Sequence, residues 1–570
     1  MRPILLIPVL LLNSILSPLD TIATAGPSPL PSFFEVCRNP HTYPREAESL
    51  LPIRLAVPGA PRTCEGLAAR IEQEDSLDLE GRGIRNLTIL ASFPHLKRLN
   101  LSGHQSTDYS PLSHLTQLVE LNLDWGEPRP LFDPTSAEYP EVQGGFAPLA
   151  TLTQLKSLSL NQNGVRDLSP LKDIKSLESL NLAANRLTAS DLKPLEELSH
   201  LHRLELSRNF LSESRALIFP QSLEFFGASE SGLTDLGILN SLPTAIETLH
   251  LHRNQLTDLR QVSRFKNLKT LSVFGNQVTD LNPLQELQEL VVLNASGNRI
   301  FDVSALSSLT SLQSLNLSEN PIRDISPLRT LEKLRKFRAD RCRLRSLTPL
   351  SGLSLLEELY LNENAITQTD ALSSLQALQI LGLARNRIQD IHPLAQLANL
   401  RKLSVADNQL TILPEDLSSW KSLQELYVAG NQLGSADSIT PLQSVTHLDL
   451  SRNQIRQIPE LTALTQLQYL FLRANQITDA SPLNQGASLV WIEIAQNQIQ
   501  DLSSILSFFE TPIAGFDISG NPIEDYQPLI DALPENVFLS QLTLSRGSMT
   551  EEQIQTLREK FGPTGLTLLP

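Results

Sequence analysis

The most reactive side chains in this sequence are two histidines and one cysteine. His250 and His252 lie two residues apart, which places both imidazoles on one face of an extended strand. Two such imidazoles could ligate zinc, but the sequence presents no third ligand beside them, and the positive charge of Arg253 opposes a cation. We therefore expect no metal site, and no segment indicates a cofactor.

Cys342 is the one cysteine within the central part of the chain. A catalytic thiol needs an exposed site and a histidine partner, whereas Cys342 replaces an asparagine that recurs at bends predicted to be buried. The chain also lacks a phosphate-binding glycine loop, a zinc-protease helix motif, a nucleophile elbow and a calcium loop. We predict a structural thiol at Cys342 and a protein that is not an enzyme.

A short pattern organises most of the chain: leucine, any, leucine, any, any, asparagine, any, and then an aliphatic residue. It recurs mostly about every 22 residues, with degenerate copies at Arg82, His104 and Gly126 and interruptions at Ser231 and Cys342. The asparagine stands at Asn163, Asn185, Asn209, Asn254, Asn276, Asn298, Asn320, Asn364, Asn386, Asn408, Asn431, Asn453, Asn475, Asn497 and Asn521. The count predicts roughly 20 stacked coils.

Each copy predicts a strand, a bend and a helical turn. The two leucines, such as Leu315 and Leu317, should point inward, and the asparagine amide should satisfy backbone groups inside the bend, forming a ladder through the core. After the bend the chain commonly reads Asp, aliphatic, Ser or Asn, Pro, Leu, as in residues 324–328. Ser or Asn before Pro predicts a capped helix start on the convex side.

The repeats resemble the bacterial leucine-rich repeats of the internalins and of the short-repeat regulators of type-1 protein phosphatase. The resemblance covers about four-fifths of the chain and implies an α/β solenoid, a curved horseshoe with a parallel sheet on its concave face and short helices or 3-10 turns on its convex face. It further implies a protein-binding function with ligand contacts on the concave strands.

Positions six, four and two residues before each ladder asparagine should face the concave surface. This arithmetic gathers four aromatic side chains on neighbouring strands, although aromatic residues are only 5% of the chain. They are Tyr427, Tyr469, Phe471 and Trp491, with Arg473, Asp449, Glu425 and Glu493 as a charged rim. Tyr and Trp contribute much of the energy at protein interfaces. We predict a ligand-binding patch here; the alternative is that the rings only pack against one another.

A second predicted patch is basic and lies nearer the middle of the array. It comprises Lys336, Arg338 and Arg341 in the coil of Cys342, with Tyr360 in the next coil. These side chains could receive acidic residues of a partner. The alternative is an ordinary solvated, charged strand.

Composition and the N-terminus indicate where the protein works. The net charge of −16 disfavours nucleic acid, which requires a basic stripe, and indicates a soluble monomer. Arg2, the short apolar run of residues 4–16 and the small residues at 23–25 predict a cleaved export signal. No segment is long and apolar enough to span a membrane.

In an exported protein, Cys37 and Cys64 are expected to form a disulfide that closes the first coil. The alternative is that they are two unrelated thiols.

These features divide the chain into four predicted segments: a signal peptide at 1–25, an N-terminal cap at 26–75, leucine-rich repeats at 76–545 and a C-terminal capping helix at 546–570 that starts at Thr550. A Pro-rich insertion near 127–148 interrupts the repeats and is either a functional loop or a tolerated surface insertion.

The predicted function is binding of a protein, or of a surface glycan, outside the cytoplasm. The protein is expected to be secreted or to lie in the cell envelope. The alternatives are an envelope spacer without a discrete ligand and a regulatory subunit of an enzyme such as a phosphatase.

Overall fold

The computed structural model describes residues 30–57, 59, 61–125, 145–212, 218–503, 513–533, 539–547 and 549–569. The predicted signal peptide and residues 127–144 of the predicted insertion lie outside these described residues. Within them the chain winds into successive coils, each with a short strand on one side and, in most coils, a 3-10 helix on the other. Among the described residues, no helix has the length and apolar character needed to cross a bilayer.

The described strands form one parallel sheet in which each strand pairs with the next along the chain. They are β1 Ser76–Asp78, β2 Arg98–Asn100, β3 Glu120–Asn122, β4 Ser157–Ser159, β5 Ser179–Asn181, β6 Arg203–Glu205, β7 Phe225–Gly227, β8 Thr248–His250, β9 Thr270–Ser272, β10 Val292–Asn294, β11 Ser314–Asn316, β12 Lys336–Arg338, β13 Glu358–Tyr360, β14 Ile380–Gly382, β15 Lys402–Ser404, β16 Glu425–Tyr427, β17 His447–Asp449, β18 Tyr469–Phe471, β19 Trp491–Glu493, β20 Gly515–Asp517, β21 Gln541–Ser545 and β22 Leu566–Leu569.

The helices are short. The α-helices are α1 Phe33–Arg38, α2 Pro44–Ala47, α3 Leu50–Ala56, α4 Cys64–Glu72, α5 Gln527–Ala532 and α6 Glu551–Gly565. The 3-10 helices are Thr88–Ser92, Ser110–His114, Ala147–Thr151, Ser169–Asp173, Ala189–Glu197, Gly237–Ser241, Arg260–Arg264, Asn282–Leu284, Ser304–Ser308, Ser326–Thr330, Thr348–Leu350, Asp370–Leu372, His392–Gln396, Asp437–Ile439 and Ser481–Gln485.

The strand pattern places the aliphatic side chains as the sequence predicted. Leu315 and Leu317 are almost completely buried, whereas Asn316 between them is half-buried on the outer side of the sheet. A lone coil cannot cover its leucines, so each buries them against its neighbours and the core runs the length of the array. The predicted parallel-sheet solenoid is confirmed.

The start of several 3-10 helices differs from the prediction in one detail. In residues 324–328, the group that accepts the backbone N–H of Ser326 is the Asp324 carboxylate, with an N–O distance of 2.8 Å. The predicted cap, the Ser326 side chain, lies inside the 3-10 helix and bonds to Asp324 instead. The aspartate performs the capping because its carboxylate can reach the backbone N–H two residues later in the chain.

Both ends of the array carry additional elements. Cys37 of α1 and Cys64 of α4 form the predicted disulfide, with Cα atoms 5.9 Å apart, and Phe33 packs edge-on against Phe93 of the first coils. At the other end α6 begins after Thr550, as predicted. One strand, β22, was not predicted from the sequence; it follows α6 and pairs in parallel with β21.

The predicted asparagine ladder is confirmed by its hydrogen bonds. Asn320 donates from Nδ2 to the carbonyls of Ala295, at 2.9 Å, and Leu317, at 3.0 Å, and its Oδ1 accepts the N–H of Ile300 at 2.9 Å. Asn408 makes the corresponding bonds in its own coil. Each amide therefore joins its coil to the preceding one.

Cys342 fills a ladder position and is buried, in agreement with the predicted structural role. Its thiol lies 3.4 Å from the Leu317 carbonyl, and burial raises the pKa of that thiol to about 11. A thiol has one weak donor and no strong acceptor. Among the described residues, no hydrogen bond joins the N–H of Ile322 to Cys342, whereas Asn320 accepts the corresponding N–H of Ile300.

Cys342→Asn is expected to raise the free energy of unfolding by about 1 kcal/mol, because the new amide supplies the missing acceptor and a second donor. Urea denaturation of the wild type and the variant measures the difference. Cys342→Ser is the matched control, since Ser231 already fills a ladder position and bonds to the Ser229 carbonyl. A Cys342→Asn protein no more stable than the serine variant would contradict the prediction.

Candidate concave binding site

The candidate site lies on the sheet face that is formed by β16 to β19. The register pairs Tyr469 of β18 directly with Trp491 of β19, so these two rings occupy one column, as predicted. Phe471 lies in the second column, paired with Asp449 of β17 on one side and Glu493 on the other. We call Tyr427, His447, Tyr469, Phe471 and Trp491 the aromatic patch; all five side chains are half-buried.

His447 of β17 is a patch residue that was not predicted from the sequence. Its ring stacks on Tyr469 with the centroids 4.3 Å apart and the planes 13° from parallel. Thr446 Oγ1 lies 2.9 Å from His447 Nδ1 and orients the imidazole. His447 stands six residues before Asn453, so the arithmetic that found Tyr469 and Trp491 would also have found it if imidazole had been counted among the rings.

Gly515 of β20 is a second residue that the sequence analysis missed. A Cβ atom at this position would lie 2.1 Å from Cε3 of Trp491. The indole therefore lies directly over the backbone of β20, and any side chain at position 515 would displace it. Glycine at position 515 therefore permits this position of the Trp491 ring.

The polar rim is largely paired within the chain. Arg473 lies 3.3 Å from Glu493, and the Tyr427 hydroxyl donates to Glu425 at 2.9 Å. Lys402 pairs with the same Glu425 at 2.6 Å. Burial opposes ionisation of Glu425, but the hydrogen bonds from Lys402 and Tyr427 outweigh it and lower the pKa of that carboxyl. Burial, with the Glu425 bond, raises the pKa of Tyr427 to about 12. The rim is thus a fixed network that holds Tyr427 as a neutral phenol.

Comparison with known proteins identifies the repeats. Family models described as "Leucine Rich repeats (2 copies)" match residues 153–197, 244–286, 288–330 and 443–485, and one described as "Leucine rich repeat" matches residues 376–433. The chain is a leucine-rich-repeat protein. This confirms the repeat class inferred from the spacing of leucine and asparagine.

Several solved leucine-rich-repeat structures are similar to this chain. A leucine-rich-repeat protein of Leptospira interrogans is 21% identical, with a TM-score of 0.55, over 74% of this chain and 98% of its own. The ectodomain of the Arabidopsis receptor kinase HAESA, solved in complex with a peptide hormone ligand, is 23% identical, with a TM-score of 0.51, over 76% and 75%. An internalin of Listeria monocytogenes is 24% identical over 74% and 94%, with a TM-score of 0.35. A search of curated proteins found no match.

The predicted basic patch has its charges paired by neighbouring coils. Lys336 lies 2.6 Å from Glu358, and the Arg338 guanidinium lies over the Tyr360 ring, 4.3 Å from its centroid. Arg341 lies between two carboxylates, at 3.1 Å from Glu319 and 3.2 Å from Glu363. The four residues do lie together on the concave side, but they do not form a free basic surface.

Arg341 belongs to a longer column of alternating charge along the edge of the concave face. Each member precedes a ladder position and has a left-handed backbone, such as φ 51° at Arg341. Ion pairs of 2.9–3.6 Å join the column of Glu319, Arg341, Glu363, Arg385, Asp407 and Arg452. Half-exposed pairs of this kind contribute little to stability. Their main consequence is that this edge carries almost no unpaired charge.

The histidine pair forms part of a second group of rings, over β7 to β9. His252 stacks on Phe274 with centroids 4.4 Å apart and bonds through Nδ1 to the Ser229 hydroxyl at 2.8 Å. His250 packs edge-on against Phe225, and burial lowers the pKa of both imidazoles. Within the described residues, no group of three or more His, Cys, Asp or Glu side chains is placed to hold a metal ion.

Proposed function

We propose that this leucine-rich-repeat protein is an exported, non-enzymatic binding protein that takes a protein partner on its concave face, anchored by the aromatic patch. The observation that carries the proposal is the cluster of five half-buried rings on β16 to β19. Tyr and Trp are enriched among the residues that dominate protein interfaces. Leucine-rich-repeat proteins are typically binding scaffolds, and the ectodomain of HAESA was solved with a peptide hormone ligand.

The geometry of the patch supports an anchor role. Tyr469 is held by its stack on His447, and Trp491 is held over Gly515, so neither ring loses much conformational entropy when a partner binds. The surrounding rim is already paired, which leaves apolar contact as the main contribution of the patch. This favours a partner that inserts an aliphatic or aromatic side chain between Tyr469 and Trp491.

Export is supported by the N-terminal sequence and by the disulfide between Cys37 and Cys64, because such bonds persist in oxidising compartments. A binding role rather than catalysis is supported by the engagement of the most reactive side chains in packing. Cys342 is a ladder residue, and His252 is stacked and hydrogen-bonded.

The test is a pull-down with the mature protein from Gly26, using envelope and culture-medium fractions, followed by a measurement of affinity for the captured partner. Tyr469→Ala with Trp491→Ala is expected to weaken binding about 30-fold or more, since hot-spot residues contribute 2 kcal/mol or more. Circular dichroism confirms that the variant is folded.

His250→Ala with Phe274→Ala is the matched control, because it removes two half-buried rings from the concave side outside both predicted patches. It is expected to change the affinity less than 3-fold. Equal binding by both double variants, or equal loss in both, would contradict the assignment of the patch. A folded protein that captures no partner would favour the alternative of an envelope spacer.

A further inference from the structure

Five arginines cluster on the flank of the solenoid, on the side of the ladder away from the sheet. We propose that this flank is a second binding surface that takes an acidic segment of a protein partner. The surface, called the flank patch, comprises Arg299, Arg323, Arg329, Arg343 and Arg345 together with Phe301, and all six side chains are exposed. The proposal stands on its own observations and does not rest on the function proposed for the concave face.

The repeat brings these residues together. Phe301, Arg323 and Arg345 each stand three residues after a ladder position, in three successive coils. The backbone of adjacent coils is joined here, because the N–H of Arg343 donates to the Ile322 carbonyl at 2.9 Å. Side chains that are 22 residues apart in sequence are therefore direct neighbours on the flank.

The flank patch differs from the other basic surfaces in its charge balance. Lys336, Arg338 and Arg341 all lie beside carboxylates of neighbouring coils, whereas none of the five flank arginines has an ion pair among the described residues. The protein as a whole carries a net charge of −16. Five unpaired cations at one place on such a protein form a local exception that attracts anionic groups.

The acidic side chains of this flank do not cancel that charge. Asp302 and Asp324 each accept a backbone N–H at the start of a 3-10 helix and are held there. In the next coil the corresponding position is Ser346, which caps Thr348 without a charge. Five arginines thus face two carboxylates, and the excess of positive charge is greatest around Arg343 and Arg345.

A groove gives this charge a defined shape. It has a volume of about 460 Å³, and its lining includes Arg323, Arg329 and the polar side chains of Ser326, Ser346 and Thr348. Asp324 also lines it, but its carboxylate is already bonded to the backbone N–H and the hydroxyl of Ser326. Guanidinium groups bind carboxylates through two parallel hydrogen bonds, and hydroxyls can satisfy the remaining oxygen atoms. The Phe301 side chain is 67% exposed in the same column and offers an apolar contact.

These features favour an acidic polypeptide over other anions. A nucleic acid carries a phosphate about every 1.7 Å and would extend from this patch onto the surrounding acidic surface. An anionic membrane would have the same disadvantage over a larger area. A short acidic segment matches a patch three coils wide, and an aliphatic side chain within it would contact Phe301.

The test uses a fluorescein-labelled peptide, Glu-Glu-Leu-Glu-Glu, with Gln-Gln-Leu-Gln-Gln as its uncharged control, and measures binding to the full protein by fluorescence anisotropy. Arg323→Gln with Arg345→Gln is expected to weaken binding of the acidic peptide at least about 10-fold, because each lost charge-assisted hydrogen bond contributes strongly. Arg166→Gln with Lys172→Gln removes two cations from equivalent flank positions of another coil and should leave binding within 2-fold.

Further measurements distinguish binding at the flank patch from binding at the aromatic patch and from binding of a nucleic acid or a membrane. The Tyr469→Ala, Trp491→Ala protein is expected to bind the acidic peptide normally, so failure of one proposal is distinguishable from failure of the other. The proposal would be overturned by a folded wild type that does not bind the acidic peptide, by equal binding of the uncharged peptide, or by equal loss in the Arg166, Lys172 control. Tighter, arginine-dependent binding of a dT20 oligonucleotide or of phosphatidylglycerol vesicles would overturn it in favour of those ligands.

Discussion

Asn320→Ala is expected to lower the free energy of unfolding by about 3–5 kcal/mol, because it leaves several buried backbone groups without their partner. The Asn320 side chain is 3% exposed. Its amide satisfies the carbonyls of Ala295 and Leu317 and the N–H of Ile300, and each buried polar group left unpaired costs about 1–3 kcal/mol.

Urea denaturation measures the total loss, and hydrogen exchange at the Ile300 amide shows whether it arises at this joint. The matched control is Asn316→Ala, an asparagine of the same coil whose Oδ1 accepts the N–H of Ser318 at 3.1 Å on the half-buried outer face. We expect a loss below about 1 kcal/mol there. Equal losses for the two variants would show that the ladder contributes no more than an ordinary surface amide.

The sequence predicted the fold well because each coil is specified locally. The spacing of Leu315, Leu317 and Asn320 sets the direction of every side chain in the strand and bend, and the next copy repeats it. A fixed period also sets the register between strands. The pairing of Tyr469 with Trp491 therefore followed from counting back from Asn475 and Asn497 alone.

The spacing of the ladder asparagines does not determine side-chain rotamers. It therefore could not predict which side chains contact a neighbouring coil. The position of the Trp491 indole depends on the absence of a side chain at Gly515, and Tyr469 contacts His447 through a particular rotamer. The ion pairs of the predicted basic patch with carboxylates of neighbouring coils were not predicted either. Reading Lys336 together with Glu358, its neighbour one period later, would have shown the pairing.

The ends and irregular segments were harder to predict because they lack the period. β22 contains leucines but no ladder asparagine, so its pairing with β21 left no signature in the repeat. His104 was hard to predict for a related reason. It replaces the ladder asparagine, so the repeat pattern gave its position but not its hydrogen bonds. The structure shows how an imidazole replaces the amide there.

His104 is expected to make the protein acid-sensitive. The ring is 2% exposed and uses both nitrogen atoms: Nδ1 accepts the N–H of Ser106 at 3.2 Å, and Nε2 lies 3.1 Å from the Leu123 carbonyl. These bonds select the neutral imidazole with its proton on Nε2. A second proton on Nδ1 would point at the N–H of Ser106. Burial, the largest cause, lowers the pKa of His104 from 6.5 to about 4.

The sign of the pH effect follows from this direction. The folded state binds a proton less readily than the unfolded state, so the stabilisation is fully present above pH 6.5 and is lost as the pH falls toward 4. This difference in the pKa of His104 between the folded and unfolded states lowers the free energy of unfolding by about 3 kcal/mol at pH 4. His104→Gln keeps a neutral donor near the Leu123 carbonyl and cannot be protonated, so it should remove this part of the acid sensitivity.

Urea denaturation at pH 7 and pH 4.5 measures the effect as a difference between proteins. Carboxylates with lowered pKa values, such as Asp302 and Asp324, also weaken the fold in acid, but they are common to both proteins and cancel. We expect wild type to lose about 2 kcal/mol more than His104→Gln between these two pH values. His104→Asn, which restores the amide of the other coils, should behave like the glutamine variant. Equal losses in all three proteins would mean that His104 is protonated in the folded state without cost, and that the coils around Leu123 admit water.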